Sequence, residues 1–332
     1  MCTASVLLNA AKVKRMNTSN NDHRRGLWLG LLGVAIFALT LPMTRLAVGT
    51  PDAPLMSGVF IALGRAVVAG ALSAVFLLVT RAPMPSKSQW KQLALVAAGV
   101  VFGFPLCTSI AMRHVEAVHA SVIVGVLPLA TAAVGAWLHS QRPSLRFWMC
   151  AATGTALVVA FAIIKSGAAG LTISPADALL LLAMACAAVG YGYGAKLSHS
   201  MRAEHVICWA LVMSLPLTVP LAALSWPQVT IKPIAWWAFG YVAVFSMWLG
   251  FFAWYRGLAL GGTVRVSQVQ LVQPFMGMLF AVPLLGETLD ALTVGFGLAV
   301  IAVVFIGKKM PVNATPASPS VQKLIVKPGE VS

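Results

Sequence analysis

The sequence predicts an all-α integral membrane protein of ten transmembrane helices, arranged as two inverted five-helix repeats. Three observations predict this class. The 332 residues are 59% hydrophobic and only 9% charged, whereas soluble domains carry roughly 25% charged residues. The apolar residues fall into ten segments, each close to the roughly 20 residues that a helix needs to cross the hydrocarbon core. The basic residues collect in alternate connections between these segments.

The ten apolar segments are separated by short polar or turn-forming stretches, such as Gly49-Thr50-Pro51-Asp52 after the first. In lipid, backbone N–H and C=O groups must bond within the chain, so runs of this length are expected to be helices. The predicted spans are 26–48, 54–80, 92–112, 115–139, 144–164, 175–197, 205–225, 233–257, 263–285 and 288–307.

These spans divide the chain into four regions. Residues 1–25 form an N-terminal tail, 26–165 the first five-helix repeat and 175–307 the second. Residues 308–332 form a tail that is expected to be disordered, because it contains Pro, Ser and Lys and has no apolar face. The N-terminus does not resemble a secretory signal, since its basic residues follow the short apolar stretch. Translation starts at Met1 or at Met16.

The distribution of Lys and Arg predicts the orientation in the membrane. With the N-terminus in the cytoplasm, eighteen basic residues lie on the inner side and four lie outside, while Arg65 lies within a span. Both termini are therefore predicted to be cytoplasmic, in a multi-pass protein of the cell membrane, the bacterial inner membrane. The net charge of +15 does not indicate nucleic-acid binding, because the charge does not cluster on one folded face.

The fourth and ninth spans share a local pattern. Gly125-Val126-Leu127-Pro128 corresponds to Leu271-Val272-Gln273-Pro274, and each proline is preceded seven residues earlier by a serine, Ser121 or Ser267. A repeat with an odd number of helices forces the second copy to be inverted. Inverted repeats are a known construction for secondary transporters, with the substrate site between the halves.

At these residues the chain resembles the EamA family of the drug/metabolite transporter superfamily. The resemblance is clearest from Gln273-Pro274 to the turn Leu285-Gly286-Glu287-Thr288-Leu289. In the first half, Gln141 stands where the family has a Glu, and Phe37 stands where it has a Trp. Gly64-Arg65 resembles the family's helix-2 arginine. The resemblance implies cytoplasmic tails, a central cavity between the halves and export of amino acids or related metabolites.

Arg65 lies near the middle of the second span, where an arginine costs about 2.5–3.5 kcal/mol on insertion scales. It is therefore expected to face the protein interior, although no Asp or Glu lies at a comparable depth. Two interpretations remain open. Arg65 bonds backbone carbonyls or hydroxyl oxygens and locks helices together, or it faces the cavity and attracts the carboxylate of an anionic or zwitterionic solute.

Further candidates lie on other spans. Ser267 and Gln270 share one face of the ninth span, which either joins helices or lines a wet cavity. Trp248 lies in mid-span, where it either packs or forms a cavity wall, and Tyr191 and Tyr193 present the same choice. His119, three residues after Glu116, is the proton-coupling candidate, or a bystander near a helix end. The predicted substrate-binding set is Arg65, Ser121, Tyr193, Trp248, Ser267 and Gln270.

Missing motifs narrow the function. The chain has no Walker A sequence, which argues against an ATP-driven pump, and no hydrolase or protease motif. Gly190-Tyr191-Gly192 lies within a span and not in a re-entrant loop, which argues against a channel filter.

We predict a secondary transporter, and not an enzyme, that uses no cofactor or metal and exports a small organic metabolite such as an amino acid by alternating access. The alternatives are a LeuT-type five-plus-five fold, a membrane-embedded enzyme acting on a lipid-linked substrate, and a partner-dependent receptor.

Overall fold

The computed structural model describes residues 21–138, 141–165, 174–286, 291–308 and 312–314. Helices form nearly all of this part of the chain. They are α1 Asn21–Val48, α2 Gly58–Val79, α3 Lys87–Ala111, α4 Ala117–Val124, α5 Leu127–Leu138, α6 Leu145–Lys165, α7 Pro175–Leu197, α8 Ala203–Leu224, α9 Pro233–Gly261, α10 Thr263–Leu285 and α11 Ala291–Lys308.

Seven of these helices, among the described residues, are long and apolar enough to cross a membrane: α1, α2, α3, α7, α8, α9 and α10. They confirm the prediction of a helical, multi-pass membrane protein. The fourth predicted span is occupied by two shorter helices, α4 and α5. The fifth and tenth predicted spans are occupied by α6 and α11. The number of ten crossings stays a prediction.

Hydrogen bonds at the first turn explain where several helices begin. The Ser86 hydroxyl accepts from the backbone N–H of Gln89, and the Gln89 side chain accepts from the backbone N–H of Ser86. This reciprocal pair satisfies two backbone donors that a helix start leaves unbonded. It begins α3 at Lys87, five residues before the predicted span. Ser174 and Asp177 form the same arrangement at the start of α7.

Helices in the two halves pack against one another in antiparallel pairs. The second and seventh spans, α2 and α8, pack along their lengths. Near the start of α2 the Phe60 ring lies 5.2 Å from that of Trp226, which follows α8. Near the end of α2 the Phe76 ring lies 6.3 Å from that of His205, at the start of α8. The two helices therefore run in opposite directions.

The fourth and ninth spans form a second antiparallel pair. A Cβ on Gly135, in α5, would lie 2.6 Å from the Thr263 side chain at the start of α10. A Cβ on Gly277, further along α10, would lie 3.3 Å from the Ser121 hydroxyl in α4. Ser121 and Gly135 are separated by as many residues as Thr263 and Gly277. Pro128 and Gln270 are the midpoints of these two antiparallel segments, so they lie at the same level.

Two further contacts join the halves through glycines. Gly99 of α3 lies against the backbone of Cys186 and Gly190 in α7, and Gly26 of α1 lies against the backbone of Gly261 in α9. A side chain at either position would meet the backbone of the neighbouring helix. Gly99 and Gly190 thus allow the close approach of two helices that small residues provide in membranes.

A short antiparallel ladder joins β1 Gln141–Pro143 to β2 Val312–Ala314. It places these three residues of the C-terminal tail beside the connection between α5 and α6. The prediction of a disordered tail is therefore wrong for these three residues, because their backbone groups pair with β1. The two segments lie at the same end of the bundle, as the orientation rule requires. The remaining tail, residues 1–20 with both candidate start sites, and Glu287-Thr288-Leu289 lie outside the described residues.

Candidate functional site

Arg65 lies in the interior of α2 and is 1% exposed. It lines a small cavity at the centre of the bundle, to which six helices from both halves contribute besides α2. The described residues around the cavity are Phe37, Thr40, Leu41, Val100, Phe104, Val124, Tyr191, Ser246, Met247, Phe251 and Gln273. A small cavity therefore lies between residues of both halves, and Arg65 lines it.

The cavity is narrow. It leaves about 20 Å³ for the centres of water-sized molecules, and one ordered water needs about 10–15 Å³ by that measure. A molecule of the size of an amino acid does not fit in this conformation. The structure therefore presents the site in a closed form, with its polar groups gathered around a space for about one water.

The guanidinium of Arg65 is incompletely bonded in this space. Its Nε and Nη1 atoms are buried and have no hydrogen-bond partner, and the buried Oε1 of Gln273 has none either. No carboxylate is present among the described residues that line the cavity. Because burying a charge without a partner is costly, these nitrogens mark a place for an acceptor that none of the described residues supplies in this arrangement. The proposed lock through backbone carbonyls is not formed by these two nitrogens.

Two hydroxyls complete the polar side of the cavity. Thr40 of α1 and Ser246 of α9 share a hydrogen bond of 2.8 Å, and both side chains are buried. Next to them the Tyr241 hydroxyl donates to the carbonyl of Ile36, at 3.0 Å. These bonds join α1 to α9 at the level of the cavity.

Aromatic rings fill the bundle on one side of the cavity. The Phe37 ring stacks on Tyr191 with centroids 6.4 Å apart and lies 5.1 Å from Phe251. Trp254 packs 5.4 Å from Tyr191, and the Tyr255 hydroxyl donates to the carbonyl of Gly190. We call Phe37, Tyr191, Phe251, Trp254 and Tyr255 the aromatic cluster. It separates the cavity from the end of the bundle that is predicted to be cytoplasmic.

Two arginines fasten the opposite end of the bundle. Nη1 of Arg45, near the end of α1, donates to the carbonyls of Met112 and Arg113 at 2.6 and 2.9 Å. Nη2 of Arg113 donates to the carbonyl of Met56, at 2.7 Å. Carbonyls that follow a helix end have no partner in the helix and attract positive charge. The bonds tie the ends of α1 and α3 to the α1–α2 connection on this side of the cavity.

The helices that reach the cavity are irregular at its level. The segments Ala97–Gly103 in α3 and Val242–Leu249 in α9 are π-helical, and they contribute Val100, Ser246 and Met247. Such wide turns occur often at functional sites. In α3 the irregular segment is followed directly by Phe104-Pro105, and proline cannot donate the backbone bond that an α-helix needs.

The fourth and ninth spans are interrupted at corresponding places. The break at Gly125-Val126 between α4 and α5 lies just before Pro128, and a 3₁₀ segment, Gln268–Val272, lies just before Pro274. Each proline leaves the carbonyl four residues earlier without its helical donor. Val124 and Gln273, which flank the two interruptions, both line the cavity. The interruptions therefore meet at the site, and they explain why the fourth predicted span is divided.

The structure separates the predicted site residues. Ser121 and Ser267 are buried, but their hydroxyls donate to carbonyls of their own helices, Ala117 and Val264, at 2.7 and 2.9 Å. Gln270 is 1% exposed, and neither atom of its amide has a partner. None of these three lines the cavity.

The remaining predicted residues lie further away. The Trp248 indole N–H lies 3.4 Å from the Cys208 sulfur, and its ring packs against Phe76 and Phe252. Tyr193 is half-buried and does not line the cavity, whereas Tyr191 does. His119 lies in α4, and its side chain is outside what the structure describes. Proton coupling through His119 stays a prediction.

No distinct pattern in the sequence marks Thr40 or Ser246, because single hydroxyls are common within membrane helices. Their partnership depends on two helices from different halves, 206 residues apart in the chain. Phe37 and Gln273 appeared in the sequence only through the family pattern and, for Gln273, the pattern shared by the fourth and ninth spans.

Known proteins resemble this chain in sequence and in fold. A model of the EamA-like transporter family matches residues 24–164 and 174–307, which correspond to the two halves. The chain is 42% identical over 292 residues to the "Uncharacterized transporter YdeK" of Bacillus subtilis (strain 168), over 86% of this chain and 96% of that protein. A protein of known crystal structure superposes with a TM-score of 0.66 at 16% identity, over 86% of this chain and 98% of that one. The last likeness shows the fold alone.

Proposed function

Because this chain belongs to the EamA-like transporter family and is a membrane transporter of the drug/metabolite transporter type, we propose that it is a secondary transporter of a small metabolite bearing a carboxylate, such as an amino acid. The observation that carries the substrate class is the buried guanidinium of Arg65, whose Nε and Nη1 are unpartnered beside the central cavity. A carboxylate supplies the acceptors that these nitrogens lack, with two oxygens that suit the planar guanidinium.

The architecture in this proposal is ten helices in two inverted repeats. Three spans of the first half pack against the spans five places later: α2 with α8, α4 and α5 with α10, and α6 with α11. The first two of these pairs are antiparallel, as a two-fold axis in the membrane plane requires. In this repeat α3 corresponds to α9, and α7 corresponds to α1. The contact between α3 and α7 therefore has its counterpart in the contact between α9 and α1. The division of the family match near residue 170 supports the same repeat.

The mechanism in this proposal is alternating access, with export from the cytoplasm. The aromatic cluster covers the cavity toward the end predicted to be cytoplasmic, and the Arg45 and Arg113 bonds close the other end. A carrier must pass through a state in which neither side is open, and a cavity with room for about one water suits that state. The cytoplasmic position of both termini is supported by the excess of basic residues on one side, and export is what the resemblance to the family implies.

Flux into proteoliposomes tests the function. Purified protein is reconstituted and screened with radiolabelled amino acids and organic acids, with and without a pH gradient. We expect saturable flux of at least one carboxylate-bearing solute, and little flux of the analogue in which an amide replaces the carboxylate. Absence of flux for every solute, in protein shown to be folded, would overturn transport of this class.

Variants at Arg65 test the role of the guanidinium. Arg65→Gln is expected to lower carboxylate flux by about 100-fold, since a lost hydrogen-bonded charge costs about 3 kcal/mol. Arg65→Lys retains the charge and is expected to recover part of the flux. The matched control is Arg146→Gln, an exposed arginine of α6. Arg65 is structural, and its role in binding the solute is wrong, if two results are found together. Arg65→Gln yields no folded protein, and Arg65→Lys folds but does not prefer the carboxylate over its amide analogue.

A further inference from the structure

A second site lies on the side of the bundle, away from Arg65. An apolar groove of about 420 Å³ runs between α1, α9 and the end of α10. We call it the α1–α9 groove; its walls include Met43 and Leu46 of α1, Trp237, Gly240 and Phe245 of α9, and Leu284 of α10. Its volume is within the range of about 300–1,000 Å³ that is usual for ligand sites. Trp237 and Phe245 are exposed on this side of the bundle.

A second pocket of about 520 Å³, with three charged residues in its lining, adjoins one end of this groove. The groove and the pocket share two lining residues, Leu46 and Ile234, so the two spaces are adjacent. Arg45, Lys232 and Glu116 line the pocket. The described charged residues that line the pocket have a net charge of +1. We call this space the Lys232 pocket.

Three features suit the Lys232 pocket to an anion. Arg45 is held in place by its bonds to the carbonyls of Met112 and Arg113. Lys232 is exposed and therefore able to reach a ligand. It also occupies the N-cap of α9, where no side chain caps the helix. The positive end of the α9 dipole therefore adds to the two cationic side chains, and it favours a phosphate group.

The length of the groove matches one leaflet of a membrane. From Ile234 to Phe245, eleven residues along α9 span about 16 Å at about 1.5 Å per residue. Half of a hydrocarbon core is about 15 Å. An acyl chain whose head group lies at Lys232 would therefore end near the middle of the bilayer, at the end of the groove.

Gly240 gives the groove its depth. A Cβ at this position would meet no atom within 4 Å, so the glycine faces open space between Trp237 and Phe245. A bulky side chain there would fill the groove without displacing the protein around it.

We propose that the α1–α9 groove and the Lys232 pocket together bind one anionic phospholipid, with its phosphate at Arg45 and Lys232 and one acyl chain beside Gly240. The site is separate from the central cavity, so it does not depend on the transport proposal. A lipid held there would contact α1, α9 and α10, three of the helices that line the central cavity.

Native mass spectrometry of the detergent-purified full chain tests this site, with phosphatidylglycerol or phosphatidylcholine of identical chains added. We expect one phosphatidylglycerol to be retained in preference to phosphatidylcholine. Lys232→Gln should weaken retention of phosphatidylglycerol about fivefold, from about 1 kcal/mol per basic residue, and leave phosphatidylcholine unchanged. Gly240→Leu should weaken retention of both lipids.

Matched controls lie elsewhere on the chain. Lys196→Gln changes an exposed lysine at the other end of the bundle, and Gly295→Leu enlarges a glycine of α11 that also faces open space. Neither should change lipid retention. If retention is equal for both lipids and unaffected by Lys232→Gln, the groove takes any hydrocarbon and the anionic site is wrong. If Gly240→Leu has no effect while its thermal unfolding matches that of the wild type, the acyl position is wrong.

Discussion

The hydroxyls of Thr40 and Ser246 share a hydrogen bond of 2.8 Å that joins the first helix to the π-helical segment of α9, at the edge of the central cavity. Each hydroxyl is buried. The bond connects the two halves of the chain at the place where both contribute to the site.

We expect Thr40→Val to destabilise the folded protein by about 1–3 kcal/mol, because it leaves the Ser246 hydroxyl buried without a partner. The thermal unfolding midpoint in detergent measures this. Thr153→Val is the control, since Thr153 is exposed and bonds only a carbonyl of its own helix. The double variant Thr40→Val/Ser246→Ala should recover part of the loss, since neither partner then remains. Equal effects of Thr40→Val and Thr153→Val would contradict this.

The bonds of Arg45 predict the accessibility of the cavity. Arg45→Met removes a charged donor from the carbonyls of Met112 and Arg113. Since each such bond contributes about 1.5–3 kcal/mol, the closed state should weaken and a cysteine at Gln273 should react at least about tenfold faster with an impermeant maleimide. The measurement compares Gln273→Cys with Arg45→Met/Gln273→Cys.

Two background variants make the labelling experiment specific. Arg146→Met removes an exposed arginine elsewhere, and Lys232→Gln alters the proposed lipid pocket without removing the Arg45 bonds. Neither should accelerate labelling of the cysteine at position 273. If Arg45→Met does not accelerate it either, the two arginines do not control access from this end.

Gly194 tests the contact between α7 and α9. A Cβ there would coincide with the ring of Tyr255, which is fully buried. Because the ring cannot move into solvent, Gly194→Val should destabilise the fold by about 1–3 kcal/mol or more and lower the yield of monodisperse protein. Gly295→Val, where a Cβ meets open space, should leave yield and unfolding midpoint near wild type. Normal yield of Gly194→Val would show that α7 and α9 are further apart.

The 3₁₀ segment before Pro274 gives a fourth prediction. Pro274→Ala restores an N–H that can donate to the carbonyl of Gln270, so α10 should become more regular. We expect unchanged or higher thermal stability, together with a flux reduced about tenfold because the site-lining Gln273 is displaced. Pro283→Ala in the same helix is exposed and away from the cavity; its flux should match wild type. Full flux for Pro274→Ala would show that the interruption has no role in transport.

The sequence predicted the class of fold because membrane insertion imposes a strong composition and a fixed segment length. The predicted helix boundaries were wrong where hydrogen bonds at a helix end determine the start. The bonds between Ser86 and Gln89 begin α3 earlier than the apolar pattern predicts. It also predicted one helix for the fourth span, although Pro128 was noted. A proline indicates a lost backbone hydrogen bond. Whether the helix that contains it bends or divides into two depends on the neighbouring helices.

The site was predictable where a residue is costly in lipid, and not elsewhere. Arg65 was identified by its charge, and the structure places it at the cavity. Ser121 and Ser267 were chosen as polar, yet their hydroxyls bond their own helices. Tyr191 and Tyr193 differ by two positions, which turns a helical side chain by about 200°. Only the rotation of α7 against its neighbours decides which of them faces inward.

Gly262 has consequences for motion. It is the single residue between α9 and α10, and its φ of 84° is a conformation that other residues rarely adopt. With no linker to absorb a displacement, the two helices share a pivot at that end. A tilt of α9 therefore also displaces the start of α10, so the movements of these two cavity-lining helices are coupled at that end.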